Sequence, residues 1–161
     1  MRKVRDDKPM TLTVAIVGLG YVGLPLAAEA CRQDMKVVGF DTSTTVIQGL
    51  REGRSHIDDI TDLDIAEMRA SGFVITDDPA DMVGSDVIVI CVPTPLGGGG
   101  TPDLEAIISA TEIIGSQIQR DCLVVLESTT YPGTTEEVVL PILEQRSGLK
   151  AGTEFALCYS P

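Results

Sequence analysis

Basic side chains are scarce, with 12 Lys and Arg against 24 Asp and Glu in 161 residues. A surface of that sign repels phosphate backbones and anionic headgroups, which excludes nucleic acid and membrane surfaces as principal partners. The excess acid is read as a solvated, solubilising surface. Long apolar runs are also missing, and none reaches the length needed to cross a bilayer. The opening MRKVRDDKPM lacks the apolar segment of a secretory signal, so residues 1–10 read as a loose tail. Metal-ligand spacing is absent too: Cys31, Cys91, Cys122 and Cys158 form no CxxC pair, and His56 is the only histidine. That pattern argues against both a metal site and a disulfide framework. The thiols are expected to be buried, reduced small hydrophobes in a cytoplasmic protein.

What is present is alternation. The length suits one domain, here residues 11–161, with a well-buried core. Apolar runs without a polar alternate occur at Leu12 to Val17, Lys36 to Phe40, Val87 to Val92 and Cys122 to Leu126, with shorter candidates at Phe73 to Thr76 and Glu154 to Tyr159. Such runs mark strands covered on both faces. Helix-compatible segments separate them at Tyr21 to Gln33, Ser43 to Glu52, Leu63 to Ala70, Asp103 to Gln119 and Thr135 to Arg146. The pattern predicts an α/β fold, a Rossmann-type doubly wound parallel sheet of about six strands with helices on both faces.

Boundary chemistry agrees with the alternation. Thr101-Pro102-Asp103 is expected to cap and open a helix, and Thr134 with Glu137 has the spacing of a capping box. Pro25 is expected in the first turn of its helix, while Pro141 should kink or restart the last one. Gly97 to Gly100 reads as a flexible surface loop, since no Lys-Ser/Thr follows to make a phosphate cradle.

The candidate chemistry lies where strands end. Gly18-Leu19-Gly20-Tyr21-Val22-Gly23 joins the first strand to a helix with the glycine spacing of a dinucleotide-binding turn. An anion there meets the free N–H groups and the positive end of the helix. Asp41 ends the second strand, 18 residues beyond Gly23. A carboxylate at that place accepts hydrogen bonds from a ribose diol and repels a 2′-phosphate, favouring NAD over NADP. Its alternative role is to cap the turn before Ser43. Val92-Pro93-Thr94-Pro95 must leave the sheet as a rigid loop, and Glu127-Ser128-Thr129-Thr130-Tyr131-Pro132-Gly133 clusters hydroxyls after the fifth strand. Either stretch could also be ordinary strand-end and turn chemistry.

Taken together, Gly18 to Leu26, Gly39-Phe40-Asp41, Val92 to Leu96 and Glu127 to Glu136 resemble the amino-terminal domain of the UDP-glucose/GDP-mannose dehydrogenase family, most closely its UDP-N-acetylglucosamine 6-dehydrogenase-like members. The resemblance implies oxidation of a UDP-sugar C6 alcohol to a carboxylate with two NAD, through a thioester on a cysteine. It implies that Gly18 to Gly23 hold the pyrophosphate and Asp41 the adenosine ribose. Val92, Pro93, Thr94, Pro95, Ser128 and Thr129 would line the nicotinamide side, with Thr129 also positioning water or a substrate oxygen in a supporting catalytic role. A homodimer or larger assembly is implied for the complete protein.

Departures from the family pattern qualify this expectation. No cysteine here occupies the nucleophile's motif, and the chain stops at Ser160-Pro161 before the glutamate that usually follows. The chain is therefore expected to be a fragment that binds cofactor without oxidising a sugar, the central helix, substrate and catalytic domains lying beyond it. Val46 stands where many members carry Lys or Arg, and His56 where relatives often carry an aromatic residue; His56 is assigned to a surface or loop-packing role. Two alternatives stay open: the corresponding domain of a 6-phosphogluconate/3-hydroxyisobutyrate-type dehydrogenase, and a non-catalytic dinucleotide-sensing module.

Overall fold

The computed structural model describes residues 11–97 and 102–160. The expected tail at residues 1–10, and all of the glycine loop except Gly97, lie outside them. Six strands, β1 (Thr13–Val17), β2 (Lys36–Phe40), β3 (Val74–Thr76), β4 (Val87–Ile90), β5 (Leu123–Leu126) and β6 (Ala156–Tyr159), form one sheet in the order β3-β2-β1-β4-β5-β6. Every pairing is parallel. The helices α1 (Gly23–Arg32), α2 (Thr44–Arg51), α3 (Asp62–Ala70), α4 (Glu105–Gly115) and α5 (Leu140–Ser147) supply four of the five crossovers, and a 3-10 turn at Pro79–Met82 lies in the one from β3 to β4. No helix among the described residues is long and apolar enough to cross a membrane.

β1 shows why uninterrupted apolar runs were the right signal. Val14 and Ile16 pack into one cluster with Leu24, Ile47, Leu50, Ile65 and Met68 from α1, α2 and α3. Ala15 and Val17 point the other way, into a cluster with Ile107, Ala110 and Ile114 of α4 and Leu143 of α5. From Val14 to Val17 both faces of the central strand are therefore dry, and only its first residue, the half-buried Thr13, is polar.

Strand ends are level. The registers pair Val17 with Phe40 and with Ile90, and Ile90 with Leu126. The next residues, Gly18, Asp41, Cys91 and Glu127, consequently emerge along one edge of the sheet. Strand order reverses between β1 and β4, so the connections on either side of that pair run to opposite faces and leave a crevice.

Several boundaries differ from expectation, each for a local reason. β4 stops at Ile90, short of Val92, and the chain has left the ladder before its first proline. α4 begins at Glu105 with Leu104 as its N-cap. Thr101 lies outside the described residues. Pro102 bridges Leu96 in antiparallel fashion and the Asp103 amide donates to the Pro95 carbonyl at 2.8 Å, which keeps the chain extended until Asp103 accepts from the Glu105 amide. The Thr134–Glu137 capping box does not form. Thr134 already has helical dihedrals, and its hydroxyl lies 2.8 Å from that of Thr130 and donates to the Tyr131 carbonyl. A capping box closes instead at Thr61 and Asp64. Pro25 sits in the first turn of α1, and Pro141 follows a π-helical turn at Thr135–Val139 that restarts as α5. Cys31, Cys91 and Cys122 are buried, but Cys158 is exposed because β6 is an edge strand covered poorly on both faces.

Candidate functional site

The three glycines of the β1–α1 turn have different reasons for being glycine. Gly18 has φ +94°, and a Cβ there would sit 2.7 Å from the Cys91 carbonyl oxygen. A Cβ on Gly23 would lie 1.8 Å from the Gly18 carbonyl oxygen and 3.1 Å from Ile16 Cγ2. Both are demanded by the packing of the turn itself. Gly20 has no such demand: its φ is not positive and a Cβ would meet nothing within 4 Å. The space it leaves open faces the crevice, the place where a bound group would press against bare backbone. Val22 gives α1 no side-chain cap, and no acidic residue occupies the first turn. That helix end keeps its positive partial charge; its Gly23 amide has no partner among the described residues, whereas the Leu24 amide donates to the Gly20 carbonyl at 3.0 Å and Pro25 has no N–H.

Asp41 ties this turn to β2. One carboxylate oxygen accepts from the Leu19 amide at 2.8 Å and the other from the Ser43 amide at 2.8 Å. The Gly18 amide donates to the Phe40 carbonyl at 2.9 Å alongside. Asp41 thus does cap the turn before Ser43, and this does not exhaust it. Two oxygens offer about four lone-pair positions, so roughly two acceptor positions remain for the paired hydroxyls of a ribose.

On the other side of the crevice, the segments after β4 and β5 are laced together. Ser128, a buried residue, directs its hydroxyl to the Val92 carbonyl at 2.7 Å and the Ile90 carbonyl at 3.3 Å. The Thr94 hydroxyl donates to the Thr129 carbonyl at 2.6 Å. With that proton committed, Thr94 can offer a ligand only its lone pairs, as it would to an amide NH2. Among the described residues the Thr129 hydroxyl makes no hydrogen bond and is free for a ligand or water.

Between these halves lies a cavity of about 650 Å³. Gly18, Gly20, Tyr21, Val22, Asp41, Val92, Pro93, Thr94, Ser128 and Thr129 all line it. Leu19, Gly23 and Pro95 do not. Leu19 is wholly buried and contributes its amide to Asp41, Gly23 lies beneath the turn, and the Pro95 carbonyl holds Asp103. The wall also includes residues that motif reading passed over. Ala106, Ser109, Ala110 and Ile113 line it from α4 at the i, i+3, i+4, i+7 spacing of one helix face. That stripe was visible in the sequence and reads as core. Glu127, Thr42, Val46 and His56 also line the cavity, so His56 is on the crevice and not merely on a loop surface.

Cys91 borders the cavity but is no nucleophile. Burial, with a smaller push from the Glu127 carboxylate, drives its thiol up to about 12. Burial drives Cys122 to about 11, aided by Asp86. Both stay protonated near neutrality, and only a thiolate attacks.

Comparison with known proteins bears on the cavity directly. Residues 12–161 match the UDP-glucose/GDP-mannose dehydrogenase family, NAD binding domain. A UDP-N-acetyl-D-glucosamine 6-dehydrogenase of Pseudomonas aeruginosa is 43% identical over 93% of this chain and 35% of its own length. Among solved structures, a UDP-D-ManNAc dehydrogenase from Pyrococcus horikoshii superposes with a TM-score of 0.87 at 37% identity, over 93% of this chain and 36% of that one. A ternary complex of GDP-mannose dehydrogenase from Pseudomonas aeruginosa gives 0.84 at 36% identity, over 89% of this chain and 34% of that one. The chain spans about a third of the length of these relatives. The match over residues 12–161 shows that the chain belongs to the UDP-glucose/GDP-mannose dehydrogenase family, as its NAD-binding domain.

Proposed function

We propose that this chain holds NAD for a nucleotide-sugar 6-dehydrogenase, with Gly18 to Gly23 and the start of α1 cradling the pyrophosphate and Asp41 the adenosine ribose. The observation that carries the reading is Gly20, whose missing side chain no protein atom explains. Asp41 favours NAD over NADP, because a 2′-phosphate would bring its charge against the carboxylate. Val92, Thr94 and Thr129 face the nicotinamide half, and the free Thr129 hydroxyl orders a water or substrate oxygen there. Ser128 serves this half by latching its two loops.

In the complete protein the reaction is a four-electron oxidation. The sugar CH2OH and one water become a carboxylate, with two hydrides passing to two NAD and three protons released. NAD accepts the hydride; this chain binds and orients it. Cys91 and Cys122 do not serve as the nucleophilic thiol of that reaction, since burial holds both protonated. The similarity to a UDP-N-acetyl-D-glucosamine 6-dehydrogenase supports a UDP-N-acetylhexosamine as substrate; a cytoplasmic location and a dimer or larger assembly are part of the same proposal. The match over residues 12–161 favours this over a 6-phosphogluconate-type enzyme or a free-standing sensor.

Titration calorimetry on the chain tests the cofactor assignment. NAD is expected to bind more tightly than NADP, and Asp41→Ala to bring the two affinities together. A chain with an intact melting transition that gave no binding heat with either dinucleotide would refute it.

A further inference from the structure

His56 is presented to the crevice by a segment built to hold it there. On one side the Ser55 amide donates to the Asp62 carboxylate at 2.7 Å, and the Ser55 hydroxyl donates to the Ile57 carbonyl at 3.0 Å while accepting from the Ile57 amide at 3.3 Å. Ile57 on the other side is buried in the cluster shared by α1, α2 and α3. The Arg54 amide donates to the Gly49 carbonyl at 2.8 Å and secures the approach from α2. Both neighbours are thus fixed, while the imidazole is exposed and makes no hydrogen bond among the described residues. It lines the same cavity as Asp41, Thr42 and Val46. An anchored backbone carrying an unengaged planar side chain at a cavity wall leaves that ring free to meet a ligand.

The place of this contact in the cavity fixes what it touches. β2, which delivers Asp41, and β5, which delivers Thr129, lie on opposite sides of the β1–β4 pair. His56 and Val46 belong to the segment that follows β2, so they flank the Asp41 end. Beyond a ribose held by Asp41, that end offers an apolar branched side chain packed against the core and a flat aromatic ring. Among the described residues no Lys or Arg lines the cavity. Such a wall suits the face of a neutral heteroaromatic base and has nothing to offer a phosphate.

We propose that His56 is the adenine contact of this domain, its ring stacking on the purine next to Val46. The proposal rests on the reading of the cavity as an NAD site and assigns specificity at its adenosine end to a residue of the α2–α3 segment. The stack works through the ring face, so Phe replaces His56 and Ala does not.

Since His56 is the only histidine, its imidazole Cε1–H resonance is unambiguous in the NMR spectrum of the wild-type chain. Titration with NAD and with 5′-AMP is expected to move it along one saturable curve each, and nicotinamide mononucleotide to leave it in place. By calorimetry, His56→Ala is expected to weaken NAD and AMP alike by about five- to tenfold, the lower end of base–aromatic stacking, and His56→Phe to bind like wild type. A resonance unmoved at saturating NAD, or moved by nicotinamide mononucleotide, would overturn the assignment while leaving NAD binding intact. So would His56→Ala binding NAD as wild type does. If the wild-type chain bound no NAD, the cofactor reading itself would fall and this proposal with it.

Discussion

Replacing Gly20 and Gly23 by alanine separates what the turn owes to the fold from what it owes to the ligand. At Gly20 the added methyl meets no protein atom within 4 Å, and the backbone there is not in the left-handed region. The stability change should stay within about 0.5 kcal/mol, as for a substitution outside any packed contact. For a domain of this size that is a shift of about 2 °C or less. At Gly23 the methyl would have to share space with the Gly18 carbonyl oxygen, 1.8 Å away, and that oxygen cannot yield without moving the turn. Overpacking of this sort costs about 1–3 kcal/mol or more, at about 2–4 °C each. Binding should rank them differently. A methyl on Gly20 stands where the pyrophosphate approaches, and losing one charge-assisted hydrogen bond of about 1.5–3 kcal/mol weakens affinity about 10- to 100-fold. Thermal melting and NAD calorimetry on both variants are the assay. Gly20→Ala should melt as wild type and bind poorly, whereas Gly23→Ala should melt early. If Gly20→Ala bound NAD with wild-type affinity, the open space would not be the pyrophosphate's place.

Two further outcomes concern parts of the chain away from the turn. At pH 8 a disulfide reagent should find one fast thiol, Cys158, with Cys31, Cys91 and Cys122 reacting only on unfolding; two or more fast thiols would contradict the burial that raises all three. Because Cys91 and Cys122 keep their protons in the fold up to about 12 and about 11, against 9.0 when free, the unfolded chain alone loses protons as pH passes 9. Melting temperature should therefore fall from pH 9 upward, less steeply in Cys91→Ala, and an unchanged slope in that variant would refute the linkage. Thr61→Ala removes the capping box that opens α3 and should cost about 1 kcal/mol, read by denaturant unfolding; no loss would mean that α3 is held by Ile65 and Met68 alone.

The sheet was legible because its strands are covered twice. Val14 to Val17 cannot tolerate polar residues on either face, so the sequence carries the burial pattern openly, and the glycine turn and Asp41 sit at ends that this pattern defines. Less legible were features decided by one competing bond. Thr134 and Glu137 have capping-box spacing, but the neighbouring Thr130 hydroxyl and Tyr131 carbonyl claim the Thr134 side chain. Thr61 and Asp64 carry the same chemistry with Asp in place of the commoner Glu. Cys158 looked like its buried counterparts because an edge strand and an inner strand have the same local composition. The α4 stripe and His56 were hidden for another reason. Small residues on a helix face and a lone histidine acquire meaning only when the fold brings them to the wall of the same cavity as Asp41, and nothing local announces that.

The cleft is made of two braced halves. Asp41 and the Gly18–Phe40 bond make the glycine turn and the end of β2 one unit. Ser128 and Thr94 make the segments after β4 and β5 another. The two meet at the centre of the sheet, where the Cys91 amide donates to the Val17 carbonyl at 2.8 Å and Gly18 leaves no room for a side chain against Cys91. Each brace uses hydrogen bonds the protein makes with itself, so the walls stand before a ligand arrives and little ordering remains to be done on binding. A dinucleotide is itself two halves joined by a pyrophosphate. The junction of the braced units falls beside the Gly20 opening, so in the proposed NAD site each nucleotide would meet a preformed wall and the pyrophosphate alone would lie against bare backbone. On that proposal the glycine at position 20, which the fold by itself does not need, serves the ligand.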